Sequence, residues 1–129
     1  MTQNIDNFAS LIRGYIQDMN SAEIITVGDE ILIGQTVDTN SAWMGMQLSM
    51  RGIRVNRITS ISDRREEIIS ALDEALGRAP LVLMTGGLGP TSDDITKDTL
   101  AEYFGSKLVT DQEVLAEITG RITKRNLEM

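Results

Sequence analysis

The chain of 129 residues is 41% apolar and 24% charged, has a formal net charge of −7, and contains neither cysteine nor histidine. This composition is typical of one globular domain, and it excludes disulfides, a thiolate nucleophile, sulfur-ligated metals, a serine–histidine triad and the usual zinc sites. The acidic balance argues against nucleic acid as a partner; since the sequence has neither an apolar run of ~20 residues nor a signal-like N-terminus, we expect no membrane association and a cytoplasmic location.

The N-terminal residues 5–19 place apolar side chains at steps of three and four, which predicts an amphipathic helix. Its apolar stripe consists of Ile5, Phe8, Leu11, Ile12, Tyr15, Ile16 and Met19. We interpret residues 1–21 as an N-terminal extension and residues 22–129 as the binding domain.

The first half of this domain predicts a strand, a helix and a second strand. The run AEIITVG indicates a buried strand at 23–27, and residues 53–59 indicate the next one. A helix is predicted between them at 40–51, with Gly52 as its stop and with candidate caps at Thr39, Asn40 and Ser41. We expect Trp43 and the methionines at positions 44, 46 and 50 in the core or in an interface.

The second half continues the alternation. The run SDRREEIISALDEALGR predicts a helix that Asp63 caps and Gly77 ends. The apolar run PLVLMT, opened by Pro80, is typical of a central parallel strand. A helix at about 94–104, closed by Gly105, follows it, and a capping box of Thr110 and Glu113 opens the last helix.

Alternating strands and helices predict an α/β protein with a parallel sheet covered on both faces. Ligands of such sheets bind beyond the carboxyl ends of the strands, where the strand order reverses. The loops at those ends are GDEILIGQTVDTN, SISD and GGLGPTSDD. If the first strand lies between the other two, the three loops meet in one cleft.

The glycine-rich stretch MTGGLGPTSDDITKDTL, residues 84–100, carries the strongest chemical signal. Its bare amides and the helix after it suit a phosphate group, and Lys97 adds a cation. The spacing fits neither a P-loop nor the dinucleotide-binding fingerprint. Asp93 and Asp94 repel an anion, which indicates a shared divalent cation such as Mg²⁺.

Each of these carboxylates also has a structural interpretation. Asp93 suits a helix cap better than a ligand, and the same holds for Asp63 taken alone. For Asp94, beside Thr96 and Lys97, a functional role is favoured. Asp29 and Glu30, directly after the first strand, suit a solvated loop and a functional site equally well. The segment Asp38–Asn40 is a candidate turn and cap.

The segments GDEILIG, DTN ten residues after Gly28, and GGLGPTSDDITKD together resemble the molybdopterin-binding domain shared by MoaB, Mog, MoeA and the N-terminal part of CinA. The motifs GGLGPTSDD and GQTVDTN are most similar to CinA-like proteins. The resemblance runs from Ala22 to Met129. It implies a three-layer α/β/α sandwich with a mostly parallel sheet, here shortened at its C-terminal end.

The resemblance also implies a phosphate-bearing ligand, either molybdopterin or an adenine nucleotide. In the CinA branch the expected chemistry is metal-dependent hydrolysis of ADP-ribose-type pyrophosphates. The alternatives are molybdenum-cofactor biosynthesis, by adenylylation of molybdopterin or insertion of molybdate, and a non-catalytic oligomeric scaffold. Arginine precedes the helix aspartate in MoaB and Mog, whereas this chain has Asp93, which favours the CinA-like interpretation. A homo-oligomer is expected.

Carried over position by position, the resemblance assigns catalytic roles to Asp94, Asp63 and Lys97, with the cation between the two aspartates. The residues expected to bind the ligand are Gly86, Gly87, Gly89, Thr91, Ser92, Thr96, Gly28, Glu30 and Asn40.

Overall fold

A computed structural model describes residues 19–128 and shows three parallel strands. They are β1 (Ser21–Val27), β2 (Arg54–Ile61) and β3 (Leu81–Thr85), in the order β2-β1-β3. Ile24 of β1 is paired with Ile58 on one side and with Leu83 on the other. The first strand therefore lies in the centre, as convergence of the three loops requires, and the predicted open parallel α/β fold is confirmed.

Five helices connect or follow these strands. They are α1 (Asp29–Leu32), α2 (Thr39–Met50), α3 (Arg65–Arg78), α4 (Thr96–Tyr103) and α5 (Gln112–Leu127). The chain passes from β1 to β2 in one direction and from β2 back across β1 to β3. Right-handed crossovers therefore place α2 and α3 on opposite faces of the sheet, and α4 packs beside α3.

Burial within the described residues concentrates where α3 covers the sheet. Ile25 and Val27 of β1 pack there with Ile61, Ile68 and Ala75. Val82, Met84 and Ile95, all partly buried, border this cluster. The opposite side of β1 meets α2, because the hydroxyl groups of Thr26 and Ser41 are hydrogen-bonded.

One charged pair stabilises the α3 face. The carboxylate of Glu23, only 3% exposed, accepts hydrogen bonds from Nε and Nη2 of Arg78 at 2.8 and 2.9 Å. The bond from Arg78 lowers the pKa of Glu23, an effect that outweighs the burial that would raise it.

One expectation about burial is wrong and another is narrowed. Among the described residues β3 pairs with β1 alone, so it is an edge strand and not a central one, and all five of its residues are half-buried. Trp43, Met46 and Met50 are 62%, 60% and 73% exposed, which excludes the core of the described chain, and their predicted alternative place in an interface stays a prediction.

The predicted cap segment Asp38–Asn40 is confirmed, because Asp38 caps α2 through the amide of Ser41. Several other predicted helix ends are wrong, and Asp111, not Thr110, caps α5. The cap residues of α3 and α4 are Arg64 and Ile95, neither of which makes a side-chain capping bond. Asp63, Asp93 and Asp94 are therefore not caps, Gly77 does not end α3, and α1 was not predicted.

The stops at Gly52 and Gly105 are confirmed, because both have a positive φ just after a helix. The predicted helix at 5–19 lies outside the described residues except for Met19, so its interpretation as part of an extension stays a prediction. Within residues 19–128, none of the helices has the length and apolar character needed to cross a membrane.

Candidate functional site

A cleft of about 130 Å³ opens between the carboxyl ends of β1 and β3. Thr26 lies near the end of β1, Thr85 ends β3, and Gly86 follows it. Glu30 and Asn40, from the segment between β1 and α2, complete the opposite wall. This is the point where the strand order reverses, which is the usual ligand position in open parallel sheets.

A hydrogen-bonded polar group forms the floor of the cleft. The hydroxyl of Thr26 donates to Oδ2 of Asp38 at 2.8 Å and lies 2.7 Å from the hydroxyl of Ser41. Ser41 also donates its amide to Asp38 at 3.1 Å. Burial raises the pKa of Asp38, but the bonds from Ser41 and Thr26 outweigh it and lower the pKa overall. Asp38 is therefore a fixed, ionised acceptor at the floor of the cleft.

The glycine-rich turn packs directly against the end of β1 and the start of α4. Gly86 and Gly87 have φ of +91° and +63°. A Cβ at Gly86 would lie 1.9 Å from the carbonyl oxygen of Val27, and one at Gly87 would lie 2.2 Å from the hydroxyl of Thr96. A Cβ at Gly89 would meet the carboxylate of Asp94 at 2.5 Å. The turn therefore requires glycine for its own packing as well as for any close approach of a ligand.

Thr96 presents a buried polar atom beside this turn. The residue is fully buried, and its amide donates to the carbonyl of Gly87 at 3.2 Å. Its hydroxyl has no hydrogen-bond partner among the described residues. A buried hydroxyl without a hydrogen-bond partner lowers the stability of a fold by roughly 1–3 kcal/mol, so the Thr96 hydroxyl is a local cost to this fold.

Asp94 organises the loop after the glycine turn. Its Oδ2 accepts from the amide of Thr91 at 3.2 Å and from the hydroxyl of Thr91 at 2.6 Å. The hydroxyl bond is the largest cause of a lowered pKa, which burial opposes and the charge of Lys97 assists. Asp94 is thus an ionised residue that holds the loop closed.

Asp63 belongs to a different carboxylate group. It follows β2, beside Asp29 at the start of α1. Burial raises the pKa of Asp63, as do its hydrogen bond with Asp29 and the negative charges of Asp29 and Asp93. The carboxyl groups of Asp63 and Asp29 are therefore in contact with each other, whereas that of Asp94 accepts a hydrogen bond from Thr91.

The site residues predicted from the sequence lie partly in the cleft and partly in the glycine-rich turn and its loop. Glu30, Asn40 and Gly86 line the cleft, and the amide of Asn40 reaches the hydroxyl of Thr85 at 3.5 Å. Gly28 follows β1, donates its amide to Ile61 at 3.0 Å, and lies against the carboxylate of Glu30. The turn and its loop contain Gly87, Gly89, Thr91, Ser92 and Asp94, and Thr96 begins the helix that follows.

Lys97 lies elsewhere, in an open apolar groove between α4 and the segment that follows it, with Leu100, Phe104 and Leu108. The sequence reasoning did not select Thr26, Asp38, Ser41 or Thr85 as site residues. The available signal was a hydroxyl residue at or next to the end of two predicted strands, together with the Asp38–Asn40 turn.

Comparisons with known proteins match most of this chain to a single domain family. A family model described as "Probable molybdopterin binding domain" matches residues 23–127. A CinA-like protein of Salinibacter ruber is 47% identical over 108 residues, which cover 84% of this chain and 26% of that protein. One of Cytophaga hutchinsonii is 53% identical over 97 residues, 75% of this chain and 23% of that protein. The chain thus spans about a quarter of the length of these curated relatives.

Solved structures agree with these matches. CinA from Thermoplasma acidophilum superimposes with a TM-score of 0.72 at 41% identity, covering 81% of this chain and 62% of that one. The tungsten cofactor synthesizing protein MoaB from Pyrococcus furiosus gives a TM-score of 0.61 at 28% identity, covering 66% and 53%.

Proposed function

Because the chain belongs to the molybdopterin-binding domain family and is similar to CinA-like proteins, we propose that its cleft binds a phosphate-bearing small molecule. The ligand class is an adenine nucleotide of the ADP-ribose type or molybdopterin. The observation that carries this proposal is the glycine turn of Gly86 and Gly87, which has positive φ and adjoins a polar cleft at the strand-order reversal.

The turn supports binding of the phosphate group. Its two positive φ angles are a backbone conformation in which successive amides can converge on an anion, and the N-terminus of α4 favours negative charge close by. The hydroxyl of Thr96 lies against Gly87 and has no partner among the described residues, but it is fully buried, so a phosphate oxygen would reach it only by displacing the turn. Thr91 and Ser92 border the same loop.

The cleft supports binding of the uncharged part of the ligand. Asp38, held by Thr26 and Ser41, is an ionised acceptor for ribose hydroxyls or pterin N–H groups. Asn40 and Thr85, linked across the cleft, supply an amide and a hydroxyl. Glu30 adds a second acceptor at the rim.

A divalent cation would reconcile a phosphate with so many carboxylates. Magnesium uses one or two carboxylates together with phosphate oxygens and water, and the pair Asp63 and Asp29 fits that requirement. Within the described part of the chain no group of three or more acidic side chains is arranged for a metal, so the ligand would complete the coordination. Bound there, the cation would neutralise phosphate charge and polarise a phosphoryl oxygen.

The chain's own residues then have separate tasks in the proposed pyrophosphate hydrolysis. The glycine amides hold one phosphate, Asp63 and Asp29 supply oxygen ligands, and Asp94 keeps the loop in position through Thr91. Lys97 lies outside the cleft, and its charge, which acts on Asp94, would offset part of the negative charge from there.

Calorimetric titration of ADP-ribose and of ATP, with and without Mg²⁺, tests the proposal. We expect Mg²⁺-dependent binding with a dissociation constant of about micromolar order, weakened by Asp63→Asn and by Asp94→Asn. Asp98→Asn, an exposed carboxylate on α4, is the matched control and should bind like the unmodified chain. Absence of heat with either nucleotide, in a protein shown to be folded, would exclude the nucleotide proposal.

Molybdenum-cofactor biosynthesis is the second candidate, favoured by the likeness to a "Molybdopterin biosynthesis enzyme MoaB" of Thermus thermophilus at 26% identity and a TM-score of 0.61. It predicts that molybdopterin binds in preference to ADP-ribose. Competition between the two ligands distinguishes the candidates.

The scaffold candidate depends on one exposed surface. The apolar side chains of α5 are 47–56% exposed along one stripe that contains Val114, Leu115, Ile118 and Ile122. The expected homo-oligomer would bury such a stripe, and light scattering that shows a strict monomer would contradict it.

A further inference from the structure

The last helix, α5, lies apart from the core of the described chain. Within that part of the chain none of the α5 residues is buried, and the main contacts between elements join the strands, α1, α2, α3 and α4 but not α5. Asp111 caps the helix through the amides of Glu113 and Val114 at 3.0 and 3.1 Å. A cap fixes where a helix begins, but most helical stability in proteins comes from tertiary packing.

The composition of α5 makes such packing necessary. A helix of 16 residues is only marginally stable alone, and Gly120 near its middle and five β-branched residues lower its helix propensity further. Four of its five large apolar side chains form one stripe, because they recur at steps of three and four. They are Val114, Leu115, Ile118 and Ile122. The stripe is therefore a docking face that the described chain leaves uncovered.

The charges of α5 are segregated along its length. The cap and the N-terminal half carry Asp111, Glu113 and Glu117, whereas the C-terminal half carries Arg121, Lys124 and Arg125. Two copies of this helix side by side in parallel would bring each half against a half of the same sign. In an antiparallel pair the acidic half of each helix would lie against the basic half of the other, which is the complementary arrangement.

We propose that α5 is the contact surface of a homodimer in which the stripes of two copies pack together with the helices antiparallel. The charge pattern favours a second copy over an unrelated partner, because this surface is its own complement about a two-fold axis, as an isologous contact requires. A helix of 16 residues is about 24 Å long. Such a contact is smaller than a standard interface of about 1,600 Å², so the dimer should dissociate on dilution.

This inference rests on the scaffold candidate above and is independent of nucleotide binding, because the residues that line the cleft all precede α5. Sedimentation equilibrium of the full chain over a range of concentrations tests it. We expect a monomer–dimer equilibrium, which Ile118→Lys should weaken by about tenfold or more, since a charge then stands in the middle of the stripe. Lysine is a good helix former, so α5 itself is not penalised.

Ala116→Lys is the matched control, because it adds the same charge on the far side of α5 and should associate like the unmodified chain. Equal association of the two lysine variants, in a chain that does form oligomers, would overturn the α5 contact while leaving the scaffold candidate in place. A strict monomer at every concentration would overturn both. Calorimetric titration of nucleotide is unaffected by either result, so the two proposals fail separately.

The direction of the helices can be measured with a spin label at Glu128→Cys, since the chain has no cysteine of its own. Glu128 directly follows α5. In an antiparallel dimer the two labels should lie more than about 20 Å apart, whereas in a parallel pair they would lie within about 15 Å. The shorter distance would overturn the antiparallel arrangement.

Discussion

Gly86→Ala is expected to destabilise this fold far more than alanine at a comparable glycine. The new Cβ would lie 1.9 Å from the carbonyl oxygen of Val27, whereas real Cβ atoms essentially never come within 3.0 Å of a neighbour. The turn after β3 would have to move away from the end of β1 by more than about 1 Å, and the obstacle is backbone rather than a flexible side chain.

The magnitude has two parts. Alanine at φ of +91° costs about 1 kcal/mol. Forcing the turn away from β1 adds about 2 kcal/mol, within the range for overpacked sites. The sum, about 3 kcal/mol, is a large share of the 5–15 kcal/mol that usually stabilises a domain. Gly52→Ala is the matched control, because Gly52 has φ of +78° and open space around it, so only the first part applies.

Urea denaturation followed by circular dichroism measures both variants. A loss of about 3 kcal/mol lowers the urea midpoint by roughly 1–2 M, and a loss of about 1 kcal/mol lowers it by less than 1 M. Equal midpoints for Gly86→Ala and Gly52→Ala would refute the argument that the turn is packed against β1. Gly86→Ala should also weaken nucleotide binding, since it displaces the turn that forms the proposed phosphate site.

Three further predictions concern buried or coupled polar groups. Thr96→Val removes a buried hydroxyl without a described partner, so thermal unfolding should show unchanged stability or a gain of roughly 1 kcal/mol; a clear loss would contradict the assignment. Arg78→Met leaves the carboxylate of Glu23 buried and unpaired, so it should be less stable than Arg78→Met combined with Glu23→Gln. Both variants lack Arg78, so the burial that raises the pKa of Glu23 is no longer outweighed, and the difference should be largest at neutral pH and shrink as the pH falls toward 4.5, where the carboxylate takes up a proton. Folding raises the pKa of Asp63 above 3.8, so its ionised form opposes folding at neutral pH. Without Mg²⁺, Asp63→Asn should therefore raise the free energy of unfolding by a few tenths of a kcal/mol at pH 7, and this gain should vanish below about pH 4. A loss of stability at pH 7 would contradict repulsion between Asp63 and Asp29.

Local sequence patterns predicted the elements of this fold well. β1 and β3 are short runs rich in apolar residues, and β2 carries the β-branched residues Val55, Ile58, Thr59 and Ile61. Gly52 and Gly105 follow helices because only glycine adopts a positive φ at little cost. The glycine turn after β3 was likewise identifiable, since its residues are contiguous in the sequence, although its packing against Val27 was not.

Helix caps were predicted poorly because a carboxylate chooses among all the partners that the fold brings to it. Asp63 precedes α3 in the sequence, but it lies against Asp29 at the start of α1. Asp94 precedes α4, but Thr91 supplies two donors to it. In both cases the competing group was invisible to a pattern that considers one helix at a time.

The sequence by itself determined the alternation of strands and helices, the positions of the loops, and the residue types available for phosphate binding, because these depend on short-range periodicity and backbone preferences. Only the tertiary structure decided that β3 is an edge strand in the described chain and that Thr26, Asp38 and Ser41 form one polar group. It also decided that Asp63 contacts Asp29, whereas Asp94 accepts hydrogen bonds from Thr91. Those outcomes depend on contacts between residues distant in sequence, and pairing of parallel strands through crossovers leaves little local trace.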